Sequence, residues 1–429
     1  MRLAERLFSR REVVCGAGSA AAAATFWAPP VSAQPDGFRV LTARTGTAKL
    51  RGAEAGPTPL RGFEGGAPGP HLRVKRGEEV RVRLVNELVT DVTIHWHGVR
   101  LPNAMDGVPA LTQPAVPPGD SFDYRFTPPD AGTYWYYAPS RFIEDRALYG
   151  LLTVDEAEPV GADRDVALIL DAWTLGADGR VDAGGKTYFT VNGLPSLDIP
   201  VATNERVRLR LVNASRDRPL SARLDRHAAT VMAIDGQPAE PFPARDTRVM
   251  LAPGNRLDLF FDALLPPEST APIFIGLDDR EAPIARVVYD LVPGRTAPRG
   301  ELKPLPDNGL PARINFASAI KLEIALDDPR YQPAAGFGRP LFTTAARQSA
   351  TLGFKNTTPH AHVVHLHGHS ARLLDALDDG WKPYWLDTIL CPPGRTTRIA
   401  FLADNRGKWL IESHSLRGEG GIKAWFEVT

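Results

Sequence analysis

The chain has 429 residues, with 50 basic side chains (Lys and Arg) against 50 acidic ones (Asp and Glu). That balance leaves no basic footprint for nucleic acid and no acidic tail, and the length suffices for two or three domains with separate cores. With 38 glycines and 39 prolines, the composition suits many short strands joined by turns and disfavours long helices.

The first predicted element is an export segment, residues 1–33. It carries Arg10 and Arg11, an Ala-rich apolar run that begins at Val13, and Val31, Ser32 and Ala33 as a small-residue cleavage site. A twin arginine before such a run marks a Tat signal, which predicts a periplasmic or secreted mature chain beginning near Gln34. The run is too short and too rich in alanine to span a bilayer, so no transmembrane anchor is expected after cleavage. Of the two cysteines only Cys391 then remains. One thiol makes no internal disulfide, and Cys391 is expected to be a small buried apolar residue.

The mature chain repeats one plan three times. GEEVRVRLVNE (77–87), NERVRLRLVNAS (204–215) and RQSATLGFKNTTP (347–359) each alternate apolar and polar residues and then reach an asparagine. Alternation with period two predicts half-buried strands. Each is followed by a Pro/Gly turn feeding another alternating strand: PPGDSFDYRF (117–126), APGNRLDLFFD (252–262) and PPGRTTRIAF (392–401). A period of roughly 130 residues is too long for a solenoid. It predicts an all-β chain of three consecutive β-sandwich domains, 34–155, 162–294 and 314–429, separated by charged or Pro-rich linkers at 155–165 and 291–313.

Eight of the ten histidines fall in three short stretches. HWHG supplies His95 and His97, TPHAHVVHLHGHS supplies His360, His362, His365, His367 and His369, and the C-terminal GKWLIESHSLRG supplies His414. Residues i and i+2 of a strand project from one face, so His95 and His97 form one imidazole pair. His365, His367 and His369 share a face if their strand continues, whereas His362 faces elsewhere. Two His-x-His pairs from different domains predict a metal site built of imidazole, for which copper is the tightest divalent ion. His71, His227, His360 and His369 are assigned to packing or surface positions. The second repeat contributes only His227, so the cluster is assigned to domains one and three.

HWHGVRLPNAMDGVPALTQPAVPPGDSFDYRF, GTYWYYAPS, HVVHLHGHS and GKWLIESHSLRGEGGIKAW together resemble the four copper motifs of three-domain, laccase-like multicopper oxidases. The resemblance runs through essentially the whole mature chain and implies cupredoxin-like Greek-key sandwiches. It implies that His95 and His365 match the type 2 copper pair. His97, His367 and His414 match three of the six type 3 positions, and Tyr137, Pro139 and Glu412 occupy the other three. Tyr137 and Glu412 can offer oxygen to a metal, whereas Pro139 has no donor. At the blue type 1 site His362 matches the first ligand. Ser413 stands where the family has cysteine, Gly418 where it has a second histidine, and Ile422 or Lys423 near the axial position. Asp106 matches an acidic residue that the family uses to donate protons, and Arg417 stands where a second acidic relay residue is expected.

The expected function is therefore copper binding, one or two ions, at a reduced histidine cluster between domains one and three. Dioxygen and a small reductant are the partners of an atypical copper oxidoreductase lacking the blue centre. The alternative is a copper-free, non-enzymatic cupredoxin scaffold of the division- or envelope-associated type. Ordinary laccase turnover on phenols or metal ions is not expected, because a serine hydroxyl is a hard, weak substitute for the thiolate of a blue-copper site.

Overall fold

The structure is a computed structural model that describes residues 36–429 apart from 141–142, 279, 292–293, 332–335, 375–380 and 418–419. The export segment and Gly418 lie outside the described residues. The fold is all-β. Six sheets pair into three cupredoxin-like sandwiches, and the only helical pieces among the described residues are short 3-10 turns. The first sandwich has two four-stranded sheets, the second has six and five strands, and the third has five and five.

The repeated sequence signatures form the same strand pair in each sandwich. Val80–Asn86 pairs antiparallel with Ser121–Phe126, Arg206–Asn213 with Arg256–Asp262, and Gln348–Lys355 with Thr396–Ala403. In every domain the first of the pair also lies parallel to the domain's opening strand. The asparagines that end the first signature do one job three times. Nδ2 of Asn86 donates to the carbonyls of Thr90 and Val116, while Oδ1 accepts from the amide of Leu88. Asn213 bonds Arg218, Leu251 and Ser215 in the same way, and Asn356 bonds His360, Cys391 and Thr358. Each thus satisfies backbone groups where the chain leaves the sheet, which otherwise would be buried without partners.

Apolar packing runs unbroken from the first sandwich into the third, through Trp96, Leu101, Leu366 and Trp409. The second sandwich has a core of its own. Asn103 donates to the carbonyl of Lys408 and Asn405 to that of Leu101, which fixes the first domain's 3-10 turn against the third domain. The joint between domains one and two is polar: Arg73 of domain one pairs with Asp165 of domain two at 3.0 Å, and Thr133 of domain one donates at 2.6 Å to Asp258, which Arg208 and Arg210 hold within domain two. The histidine cluster sits where these joints meet.

Candidate metal centre

In the first domain a short strand, His95–His97, pairs antiparallel with Gly132–Tyr137, setting His95 opposite Tyr137 and His97 opposite Trp135. Trp96 points the other way, into the core against Tyr124, Phe126 and Tyr136. Alternation therefore delivers both imidazoles to one face, as expected. In the third domain His362–Leu366 lies between Thr388–Cys391 and Gly407–Ser415. His365 and His367 both reach the cleft and interleave with the first pair: His97 stacks on His365 with centroids 3.7 Å apart, and His95 lies 4.0 Å from His367. All four rings are buried.

The strand ends at Leu366 and Gly368 takes φ +64. His369 therefore leaves that face and packs among Phe401, Trp409 and Phe426, its Nδ1 bonded to the carbonyl of His367. His227 packs on Phe261 and bonds Tyr289 inside domain two, and His71 meets Thr153.

Hydrogen bonding fixes which nitrogen each ring presents. Nδ1 of His95 lies 2.9 Å from the carbonyl of Asp106, and Nδ1 of His365 lies 3.1 Å from the carbonyl of Asp387. A carbonyl only accepts, so both Nδ1 atoms carry their protons and both Nε2 atoms present lone pairs. Those two Nε2 atoms face each other at 3.1 Å. Two lone pairs at that distance repel unless a cation or a proton lies between them. Burial holds the pKa of His365 well below the ordinary histidine value, with the neighbouring His97 acting in the same direction, so a proton is a poor tenant. The donor set fits a metal ion that prefers imidazole, copper among them.

His95, His365 and His367 bring one nitrogen each within 4.8 Å of one another, and so do His97, His365 and a carboxylate oxygen of Asp387. The second grouping is a poor metal site, because the Asp387 carboxylate is already held on both oxygens by Arg256, at 2.7 and 2.6 Å. His97 and His367 each retain a buried ring nitrogen without a hydrogen-bond partner, Nδ1 and Nε2 respectively.

The other side of the cleft is anionic. Asp106 and Glu412 are buried, with Asp106 3.0 Å from Nδ1 of His367 and Glu412 3.6 Å from its Nε2. Burial opposes a charged His367, but these carboxylates outweigh it and raise its pKa to about 9. Burial would raise the Asp106 carboxyl, yet His367 and His95 hold it well below the usual range. Glu412 is likewise held down against burial, by His367, His414 and Lys423. Tyr137 donates to Glu412 at 3.4 Å and stacks on Trp135.

The remaining site candidates lie apart. His414 is 59% exposed at the rim, 3.7 Å from Glu412, and belongs to neither nitrogen grouping. His362 faces the interior of domain three, its Nε2 3.1 Å from the Thr358 hydroxyl and its Nδ1 unpartnered. Ser413 lies on the antiparallel strand beside it, opposite Val364, and accepts the Ile422 amide on its hydroxyl. Ile422 and Cys391 are buried apolar residues nearby in the fold, and burial pushes the Cys391 thiol up to about 12.

Sequence reasoning missed Arg256, Asp387 and Thr388. It assigned the cluster to domains one and three alone, yet Arg256 enters from domain two. An aspartate within the apolar run of 384–391 was the available signal, because a carboxylate buried there needs a strong partner.

Three multicopper oxidase sequence profiles match in succession, over residues 44–159, 154–269 and 313–426. The chain is 28% identical over 415 residues to multicopper oxidase MmcO of Mycobacterium tuberculosis, covering 81% of this chain and 79% of that protein. Of copper-resistance proteins and plant laccases that it also matches, it spans 39–56% of the length. Among solved structures, Lac15 from a marine microbial metagenome superposes with a TM-score of 0.81 at 32% identity, covering 91% of this chain and 99% of that one. A multi-copper oxidase from Pseudomonas thermotolerans gives 0.81 at 30% identity, covering 91% and 98%. With the sandwiches, the interleaved histidines and these matches in agreement, the chain belongs to the multicopper oxidase family.

Proposed function

We propose that this protein binds copper, one or two ions, at a reduced histidine cluster between its first and third domains. On this reading it is an exported copper-dependent oxidoreductase of atypical kind, without the blue type 1 centre. The observation that carries the reading is the opposed Nε2 pair of His95 and His365, whose Nδ1 protons are already committed to carbonyls. His367 is the third nitrogen within reach, and His97 offers Nδ1. Glu412 and Tyr137 are the oxygen donors nearest the position of the family's missing histidines.

Bound copper would supply one-electron redox chemistry. The chain's own residues do the rest. Buried imidazoles and aromatic rings exclude bulk water, and Asp106 holds the Nδ1 proton of His367. As a buried carboxylate on that nitrogen, Asp106 is the group suited to pass protons into the cleft. Against a blue centre, the Ser413 hydroxyl accepts the Ile422 amide, and the residues near the axial position are Lys423 and the buried apolar Ile422. Electron entry by the family's usual route then has no ligand set to support it.

A second reading, the copper-free scaffold, draws on the self-contained ionic arrangement of Asp106, His367, Glu412 and Lys423, which pairs its charges without a metal. Copper loading of the mature protein separates the two. The copper reading expects about one to two ions per chain with a non-blue type 2 electron paramagnetic signal, lost when His95→Ala and His365→Ala are combined. Protein that takes up no copper, with unchanged thermal stability in its presence, would overturn it. An intense blue absorption would instead overturn the assignment at Ser413, and phenol or cuprous-ion oxidation with oxygen uptake would test activity.

A further inference from the structure

Behind the histidines runs a chain of contacts that crosses all three domains. Arg256, from domain two and fully buried, grips both oxygens of Asp387 in domain three and donates from Nε to the carbonyl of Thr133 in domain one. The Thr388 hydroxyl donates to Oδ1 of Asp387 at 2.8 Å. Nε2 of His97, in domain one, lies 2.7 Å from the same hydroxyl oxygen. A hydroxyl has one proton, and the carboxylate beside Arg256 can only accept it. The Thr388 oxygen is then an acceptor toward His97, so the ring proton of His97 sits on Nε2. Its lone pair is on Nδ1, the atom that has no partner in the protein.

The same Asp387 orients the neighbouring ring differently, its backbone carbonyl holding Nδ1 of His365. One residue thereby turns Nδ1 of His97 and Nε2 of His365 outward as free donors. The arrangement tolerates no bulk. A Cβ on Gly98 would overlap Arg256 and Asp387, and one on Gly254 of domain two would press against the ring of His97.

We propose that the second domain, which supplies no histidine to the cluster, sets the tautomer of His97 through Arg256, Asp387 and Thr388, leaving Nδ1 as the metal-binding atom. Thr388 and Asp387 are positioning residues that act on a metal through the ring they orient. The general physics is that a ligating histidine's other nitrogen is fixed by a hydrogen-bond partner, whose loss costs about 10–100-fold in metal affinity. The metal arm of the test rests on the copper reading; the tautomer arm does not.

The test compares Thr388→Ser, which keeps the hydroxyl, with Thr388→Ala, which removes it, in metal-free mature protein labelled with nitrogen-15 at histidine. In the parent and in Thr388→Ser, His97 is expected to show a protonated Nε2 and an unprotonated Nδ1 by nitrogen chemical shift. In Thr388→Ala the two nitrogens should move toward each other, while His71 and His227 stay put as controls for folding. Copper titration of the same proteins should show affinity lowered about tenfold or more in Thr388→Ala and restored in Thr388→Ser. Unchanged His97 shifts in Thr388→Ala, or a parent His97 protonated on Nδ1, would overturn the proposal. Failure of every variant to bind copper, with the shifts as expected, would overturn the copper reading and leave the tautomer assignment standing.

Discussion

The two walls of the histidine cleft are built to different standards. On the wall of His95, His97 and His365, one nitrogen of each ring has a hydrogen-bond partner at 2.7–3.1 Å, and Arg256 ties the supporting residues to all three domains. On the wall of Tyr137, Glu412 and His414, the contacts run from 3.4 to 3.9 Å and His414 is mostly in solvent. Both walls carry donors that could meet a metal. Only the first has residues whose work is to aim them. Aim comes from the partner on the far side of each ring, so a strand that presents glutamate to the cleft supplies favourable charge without the geometry an oriented imidazole supplies.

The sharpest way to break the contrast is to remove its keystone. Arg256→Met leaves Asp387 and Asp235 buried without their guanidinium, so denaturant unfolding should report a loss of about 3–5 kcal/mol. A loss below 1 kcal/mol would mean that the ionic tie is incidental. Next in size, free copper at a hundredfold its dissociation constant should raise the unfolding free energy by about 2.7 kcal/mol, reversed by a chelator. No shift at saturating copper would count against any site on either wall.

Comparison of His365→Ala with His414→Ala then ranks the walls directly. The first should lower copper affinity by about a hundredfold or more, beyond the usual cost of losing an outer partner, and the second by no more than a few-fold. Equal losses would place His414 in the first rank of ligands and erase the distinction. The smallest expected effect is that of Ser413→Ala, which forfeits one buried hydrogen bond to the Ile422 amide and should cost about 1 kcal/mol of stability without altering the copper spectrum. A changed spectrum there would bring Ser413 into the metal chemistry.

Much of this architecture was legible because it is periodic. Alternation in 77–87, 204–215 and 347–359 forecast strands, and the recurrent asparagine was visible long before its three identical sets of hydrogen bonds. Within HWHG, period two was enough to put His95 and His97 on one face with Trp96 on the other. At His369 the rule held only if the strand continued; Gly368 ends the alternation and sends that ring into the core, the packing role assigned to it. Nor could alternation distinguish Glu412 from His414. They share a face two residues apart, yet one is buried and the other exposed, because the strand runs out of the cleft toward its rim.

The sequence by itself determined the three sandwiches and the four imidazoles of the cleft, because backbone periodicity and turn chemistry are local and survive in a single string. Tertiary structure alone decided which nitrogen each imidazole presents. That choice depends on carbonyls and a hydroxyl contributed by other strands, and on Arg256, 159 positions from His97 along the chain but one residue, Asp387, away from it across the domain joint. Hydrogen-bond direction is a property of neighbours in space, and the neighbours here come from three domains.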